Sequence, residues 1–254
     1  MRSLPMADEK TVPFGTRDVA PEEKAPLVGD VFRSVATSYD VMNDLMSGGM
    51  HRVWKSVTID RMNPQPGHSL IDVAGGTGDI AASFIARAGE RELRGRPPAE
   101  ATVCDINHSM LTAGMSRDAN VRVCGDAEKL PFPDRRFTHY SIGFGIRNVT
   151  DRAAAFREAH RVLRFGGRLF VLEFSQPPQE GFRALYDRYS DVVIPRLGEA
   201  VAGDAESYQY LVDSIRRFPS AEDLKHEIEG AGFKRVTFER FTGGICVLHM
   251  AAKI

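Results

Sequence analysis

Short apolar runs alternate with segments of helical spacing over most of this chain. The apolar runs predict strands at residues 69–73, 101–104, 121–123, 139–143, 168–173, 235–240 and 245–252. Helical spacing falls between most of these strands. Strands that alternate with helices predict an α/β fold with a doubly wound, mostly parallel sheet.

Two parts of the chain depart from this alternation. The last two predicted strands are joined by Thr242-Gly243-Gly244, without a helix, which predicts an antiparallel hairpin at the edge of the sheet. Residues 1–26 are rich in Pro and charge and predict an N-terminal arm that is flexible or becomes ordered on binding. Residues 27–254 then form one domain, which begins with a helical segment at 27–62 that Gly48-Gly49 interrupts.

The first strand of the predicted sheet ends in a glycine-rich turn with the sequence SLIDVAGGTGD, residues 69–79. Gly75, Gly76 and Gly78 have no Cβ, so the backbone can turn tightly and a bulky ligand can lie against it. The predicted helix at 80–88 would present its free amides to a carboxylate or a phosphate. Two alternatives fit this stretch: the dinucleotide fingerprint, which residues 76–81 also match, and a plain turn between strand and helix.

Two further strands end in acidic residues. Asp105 follows the strand at 101–104 and can accept hydrogen bonds from both hydroxyls of a ribose. Asp126 follows the strand at 121–123 and can accept from an exocyclic amine, while the Ala127 amide donates to the neighbouring ring nitrogen of an adenine. The alternative is a pair of solvated strand ends. In a parallel sheet all three ends meet at one edge, where ligands bind.

This set of residues resembles the class I S-adenosylmethionine methyltransferases, which have a Rossmann-like fold. In that class the glycine loop holds the methionine part of the cofactor, the second acidic residue the ribose and the third the adenine. The resemblance implies S-adenosyl-L-methionine as the cofactor. It implies as binding residues Gly75, Gly76, Thr77, Gly78, Asp105, Asp126 and Ala127.

A closer resemblance rests on longer motifs. YDVMNDLMS at 39–47, continuing to His51 and Trp54, and RVLRFGGRL at 161–169, continuing to 173–175, are similar to the two signatures of the UbiE/Coq5 family of quinone-biosynthesis C-methyltransferases. GFGIRNV at 143–149 and the stretch from 208 to 219 also match. Phe165 and Gly143 depart from the family pattern, the latter where many relatives carry Ser near the cofactor.

The resemblance implies methyl transfer to a ring carbon of a polyprenylated quinol. The substrate would be 2-methoxy-6-polyprenyl-1,4-benzoquinol in ubiquinone synthesis, and demethylmenaquinol in menaquinone synthesis. Two alternatives are a subunit of a quinone-synthesis complex that binds the cofactor without catalysis and an O- or N-methyltransferase of another small molecule. Carbon is a poor nucleophile until the quinol loses a proton, so a base should lie near the transferred methyl group.

Two sets of polar residues are candidates for the catalytic residues. Arg147 and Asn148 follow the fourth strand, at the same edge as the cofactor; the alternative is a loop that caps a helix near Asp151. A guanidinium stays protonated, so Arg147 would stabilise the quinolate. Asp40 and His51 belong to the N-terminal helical segment, which we interpret as a lid, and either could be the base, although such a His is more often structural.

Composition excludes several classes of protein. The 254 residues carry 33 basic and 34 acidic side chains, a net charge of −1, so no overall field attracts nucleic acid. The three cysteines lack the paired spacing of a zinc site, and we predict no metal. No run approaches the roughly 18 apolar residues of a membrane span, and no secretory signal stands at the N-terminus, which predicts a cytoplasmic enzyme.

An apolar stripe at helical spacing runs through residues 182–197. Such a stripe usually packs in a core or in a homodimer. The alternative is a tunnel for the prenyl chain, or a surface that lies on the inner face of the membrane, where Arg183 and Arg188 would flank it.

The two groups of candidate residues predict different effects on mutation. Asp105→Ala should weaken cofactor binding, because contacts to the ribose are lost. Arg147→Ala should lower turnover while the cofactor affinity stays intact. Equilibrium binding of the cofactor and the turnover number, measured on both variants, check this; an unchanged turnover would remove Arg147 from the site.

Overall fold

The structure is a computed structural model that describes residues 11–35, 44, 47–91, 95–117, 119, 121–202 and 205–254. Its strands, in chain order, are β1 Val12–Phe14, β2 Arg17–Val19, β3 Ser69–Val73, β4 Glu100–Asp105, β5 Val121–Cys124, β6 Phe137–Gly143, β7 Leu163–Phe174, β8 Lys234–Phe241 and β9 Cys246–Ala252. Its α-helices are α1 Pro21–Val35, α2 His51–Met62, α3 Asp79–Gly89, α4 His108–Ala113, α5 Arg152–Val162, α6 Glu180–Ala202, α7 Ala205–Arg216 and α8 Ala221–Gly230. A 3-10 turn, Ile146–Asn148, follows β6.

Within the described residues, seven strands form one sheet in the order β5-β4-β3-β6-β7-β9-β8. The pairs from β5 through β7 are parallel, and β9 is antiparallel to both of its neighbours. The predicted doubly wound sheet and its antiparallel C-terminal hairpin are therefore confirmed. The chain runs outward from β3 through β4 to β5 and then returns to β6 on the other side of β3. This reversal makes the carboxyl ends of β3 and β6 the switch point at which such sheets bind ligands.

Helices cover both faces of the sheet, and the residues of β7 show how the sequence specifies this. Phe170 and Leu172 pack on one face with α2, α3 and α7, while Leu169 and Val171 pack on the other with α5 and α8. Side chains alternate between the two faces of a strand, so a strand buried on both must be apolar at consecutive positions. That is why the central strands are continuous apolar runs.

β7 begins earlier than the sequence predicts. We predicted a strand from residue 168, because Gly166-Gly167 resembles a turn, yet β7 starts at Leu163. The Gly166 amide donates to the Lys253 carbonyl (2.8 Å) and the Lys253 amide to the Gly167 carbonyl (2.9 Å). Pairing with the C-terminal end of the chain therefore keeps this glycine pair in the sheet.

The N-terminal segment is more regular than we predicted. From Val12 to Val19 the chain forms the hairpin β1-β2, and α1 begins at Pro21, within the stretch that the sequence predicted to be a flexible or conditionally ordered arm. The Phe14 ring lies 4.5 Å from the ring of Tyr210 on α7, between centroids. Contacts with the C-terminal half of the chain, which composition does not reveal, order this hairpin.

The first turn of α5 has a side-chain cap that should contribute measurably to stability. The Asp151 carboxylate accepts from the Ala154 amide (2.9 Å). Asp151→Ala should lower the free energy of unfolding by about 1 kcal/mol, as loss of an N-cap does. Asp151→Asn is the matched control, since Asn caps equally well and should leave stability unchanged. Chemical denaturation of both variants checks this; equal losses would show that the cap is not responsible.

Candidate active site

The carboxyl ends of β3, β4, β5 and β6 surround a cavity of about 390 Å³. The loops after these strands and one side of α1 line it. Its lining includes five residues that the sequence predicted for the site: Gly76, Asp105, Asp126, Ala127 and Asn148. Parallel strands bring them together from four separate parts of the chain.

Asp105 is a buried residue at the carboxyl end of β4, at this edge of the sheet. Its Oδ2 accepts from the Gly76 amide and its Oδ1 from the Asn107 amide, both at 2.8 Å. Burial raises the pKa of Asp105, and the two amides oppose this by stabilising the carboxylate. A carboxylate has about four lone-pair sites, so two are left for a ligand. The structure thus places Asp105 where a ribose could be bound.

The glycines of the loop at 75–78 have different tasks. A Cβ on Gly75 would lie 2.7 Å from Asp72 Oδ2, so only glycine lets the loop lie on that carboxylate. Gly78 precedes α3 with a φ of 87°, a backbone conformation that residues with a side chain rarely adopt. Neither is among the cavity-lining residues, in contrast to Gly76. Gly75 and Gly78 therefore shape the loop, and Gly76 faces the cavity.

Thr77 lies at the back of the same loop. Its hydroxyl accepts from Arg117 (2.7 Å), and Arg117 also forms an ion pair with Asp79 at the start of α3. Lys55 of α2 reaches the same Asp79 carboxylate (2.9 Å). Thr77 is not among the cavity-lining residues, and its predicted contact with the cofactor stays a prediction.

Asp72 is a buried acidic residue next to the cavity that the sequence analysis did not single out. It is fully buried beneath the glycine loop, where Oδ1 accepts from the Ser141 hydroxyl (2.6 Å) and Oδ2 has no hydrogen-bond partner in the described structure. Burial raises the pKa of Asp72 from 3.8 to about 6, although the Ser141 hydrogen bond and the charge of Lys55 oppose this. An acidic residue inside an apolar strand, three residues before a glycine pair, was the available signal.

Helix α1 lines one side of the cavity, which the sequence analysis did not predict. Glu22, Ala25 and Val28 of α1 line the cavity; the first two lie in the segment predicted to be an arm, and Val28 lies in the segment predicted to be helical. Pro21 followed by two acidic residues is a typical helix start and could have revealed it. Lys24 is buried on this helix and donates to the Val149 carbonyl (3.0 Å). Burial lowers the pKa of Lys24 to about 8. The ammonium holds α1 against the loop that follows β6.

Arg147 lies at the predicted sheet edge, but its guanidinium is directed into the protein. It donates to Glu173 Oε1 (2.7 Å) and to the Phe144 carbonyl (2.6 Å), and both charged side chains are buried. Burial raises the pKa of Glu173, and the charge of Arg147 lowers it. Arg147 does not line the cavity, and it is Asp151 that caps α5. Its charge therefore fixes the loop after β6.

Asn148 follows Arg147 and does face the cavity. Its Oδ1 accepts from the Tyr210 hydroxyl (3.0 Å) of α7. The two adjacent residues that the sequence predicted as a pair thus have different surroundings: Arg147 is buried in an ion pair, and Asn148 lines the cavity.

Of the N-terminal candidates, His51 is described, and it does not join the cavity. His51 lies at the start of α2 and lines a separate groove of about 580 Å³ between α2 and α3. Its Nδ1 lies 3.2 Å from the Ser47 hydroxyl and 3.4 Å from Asp44 Oδ1. Asp40 lies outside the described residues. The predicted role of either as a base stays a prediction.

Comparison with known proteins identifies the family. The sequence profile described as the ubiE/COQ5 methyltransferase family matches residues 8–253. The chain belongs to this family. It is 53% identical over 240 residues to the ubiquinone/menaquinone biosynthesis C-methyltransferase UbiE of Caulobacter vibrioides, covering 93% of this chain and 95% of that protein. The predicted family, and with it the enzyme class, are therefore confirmed.

Solved structures of low sequence identity have the same fold as this protein. A possible histamine N-methyltransferase from Thermotoga maritima superimposes with a TM-score of 0.60 at 19% identity, covering 89% of this chain and 99% of that one. A phosphoethanolamine N-methyltransferase from Haemonchus contortus, solved with phosphomonomethylethanolamine and S-adenosylhomocysteine, gives 0.54 at 14% identity, covering 79% and 52%. The class I methyltransferase fold is confirmed.

Two features typical of other classes of protein are absent from the described residues. No helix in those ranges is long and apolar enough to cross a bilayer. The same residues contain no group of three or more His, Cys, Asp or Glu side chains placed to hold a metal ion.

The buried charge of Asp72 predicts a pH-dependent stability. The folded protein keeps this proton up to about pH 6, while the unfolded chain loses it near pH 4. Asp72 therefore stabilises the fold fully below about pH 4, and this contribution is lost as the pH rises through about 6. Asp72→Asn stays neutral, so relative to wild type its free energy of unfolding should rise between pH 4 and pH 7, by up to roughly 3 kcal/mol.

Urea denaturation of both proteins across this pH range measures the difference. Ser141→Ala, which removes the hydrogen bond but keeps the carboxyl, is the control and should retain the pH dependence. A difference between Asp72→Asn and wild type that stays constant with pH would contradict the assignment.

Proposed function

We propose that this protein transfers a methyl group from S-adenosyl-L-methionine to a ring carbon of a polyprenylated quinol. The substrate would be 2-methoxy-6-polyprenyl-1,4-benzoquinol, demethylmenaquinol or both. Membership of the family supports a C-methyltransferase of ubiquinone and menaquinone biosynthesis. The observation that carries the proposal is the single cavity in which Gly76, Asp105, Asp126 and Asn148 meet.

The cavity has the features that this cofactor requires. Its volume of about 390 Å³ lies in the range of small-molecule sites. Asp105 would hold the ribose through its two remaining lone-pair positions, and Asp126 with Ala127 would bind the adenine. The Haemonchus enzyme binds S-adenosylhomocysteine on the same fold, which supports this assignment.

The methionine part would lie along the glycine loop. Gly75 lets this loop lie directly on Asp72, whose buried carboxyl group is then below the loop. A negative charge there suits the ammonium of an amino acid, whose binding would in turn favour the ionised form of Asp72. Asp72 therefore joins the predicted residues Gly75, Gly76, Thr77 and Gly78 as part of this subsite.

The chemistry determines what the protein must supply. When bound, S-adenosylmethionine provides the methyl group as a sulfonium, whose S–C electrons stay on sulfur when the group leaves. The ring carbon gains the methyl group and loses its hydrogen as a proton. The chain must therefore bind the quinol in line with the methyl group, favour its quinolate form and exclude water.

The described residues can meet each of these demands. Asn148 can donate to an oxygen of the quinol, and Arg147 holds its loop from below through Glu173. α1, latched by Lys24, covers the cavity and limits the entry of water. For the base, Asp40 and His51 stay candidates, although His51 lines the groove between α2 and α3 and not this cavity.

The prenyl chain needs an apolar surface beyond the cavity, and α6 offers one. Phe182, Tyr186 and Tyr189 pack against the core, as a stripe of this kind usually does, while Leu185 and Val192 are exposed. The exposed part, with Arg188 beside it, supports a contact with the membrane surface or with a second subunit.

The proposal predicts carbon methylation by the purified protein. Wild type, methyl-labelled S-adenosylmethionine and a short-chain methoxy-benzoquinol or demethylmenaquinol, kept reduced, should give a product labelled on the ring carbon, as mapped by mass spectrometry. Asp105→Asn keeps the size of the side chain but replaces one acceptor by a donor, and should raise the KM for the cofactor by about tenfold.

Label on a quinol oxygen would overturn the carbon chemistry while keeping the cofactor assignment. Cofactor binding without label in either quinol would contradict the proposed activity and favour a subunit that binds the cofactor without catalysis.

A further inference from the structure

Tyr210 of α7 contacts the cavity-lining residue Asn148. The residue is buried, and its hydroxyl donates to Asn148 Oδ1 at 3.0 Å. Burial raises the pKa of Tyr210 to about 12, so the hydroxyl keeps the proton that it donates. Tyr210 is not among the residues that line the cavity.

The N-terminal hairpin holds the Tyr210 ring in place. The Phe14 ring packs on it at 4.5 Å between centroids, and Gly15 lies beside its edge. Arg217, just after α7, donates to the carbonyls of Gly15 (3.3 Å) and Arg17 (3.0 Å), so the hairpin is tied to the same helix end. A tyrosine with its ring clamped in this way presents its hydroxyl in one direction.

The contact with Tyr210 restricts the orientation of the Asn148 side-chain amide. A primary amide has one oxygen, which accepts, and one nitrogen, which donates. With Oδ1 engaged by Tyr210, the group left for a ligand is the Nδ2 donor. Without that contact the amide loses the partner that holds it in this orientation and can rotate, so that Nδ2 is no longer fixed in one place for a quinolate oxygen.

We propose that Tyr210 is a positioning residue that orients the Asn148 amide so that Nδ2 donates to an oxygen of the quinol. The inference rests on the proposed function and deepens it, because it assigns a determinant of substrate binding outside the cavity. A donor at this place stabilises the quinolate and discriminates against substrates that lack a hydrogen-bond acceptor at that ring position.

The test is Tyr210→Phe, which keeps the ring and its packing on Phe14 and removes only the hydroxyl. We expect kcat/KM for the short-chain quinol to fall about tenfold, the effect of one hydrogen bond. The dissociation constant of S-adenosylmethionine and the melting temperature should stay close to those of wild type. Tyr208→Phe is the matched control, since Tyr208 is buried on the same helix, and should leave kcat/KM unchanged.

A double-mutant cycle separates positioning from a general structural role. In the Asn148→Ala background, Tyr210→Phe should cause no further loss of kcat/KM, because the amide that it orients is gone. A similar tenfold loss in both backgrounds, a loss that accompanies weaker cofactor binding, or no loss in the single variant would each overturn the inference. Failure of wild type to methylate the quinol would instead contradict the proposed function.

Discussion

The Asp105 carboxylate is the interaction on which the geometry of this site depends. It stands at the end of β4 and accepts one amide from the glycine loop after β3 and one from its own loop after β4. These two hydrogen bonds join the ends of neighbouring strands and fix the backbone around the cavity. Because the same carboxylate keeps two lone-pair positions, the group that organises the site can also bind the ligand. Burial of such a charge is costly, and the two charge-assisted hydrogen bonds offset part of that cost.

Other buried charged residues also hold the backbone around the cavity in place. Arg147 and Glu173 neutralise each other below the loop after β6, and Lys24 joins α1 to the far side of that loop. Among the described residues no countercharge contacts Asp72 directly, and burial raises the pKa of its carboxyl. An incompletely compensated charge next to a binding loop is a stability cost of the kind that proteins retain at functional sites. The cationic methionine part of the cofactor would relieve it.

Much of the fold could be predicted from the sequence, because strands buried on both faces must be continuous apolar runs between glycine-rich or acidic turns. The same argument placed Gly76, Asp105, Asp126 and Ala127 at one edge. Side-chain direction was not predictable: Arg147 and Asn148 are adjacent, yet only tertiary contacts with Glu173 and Tyr210 decide which one faces the ligand. The hairpin was missed because its order comes from contacts with α7, about 200 residues away in the sequence. The first turn of α1 was missed although Pro21 and the two acidic residues after it are a typical helix start.

A crystal structure of the complex with S-adenosylhomocysteine and a short-chain quinol tests the central claim most directly. The account predicts that the ribose hydroxyls bind Asp105 and the adenine lies at Asp126 and Ala127. The quinol ring should lie between the thioether sulfur and Asn148 Nδ2, under α1. A cofactor bound elsewhere, or a quinol in the groove that His51 lines with Asn148 unengaged, would contradict it.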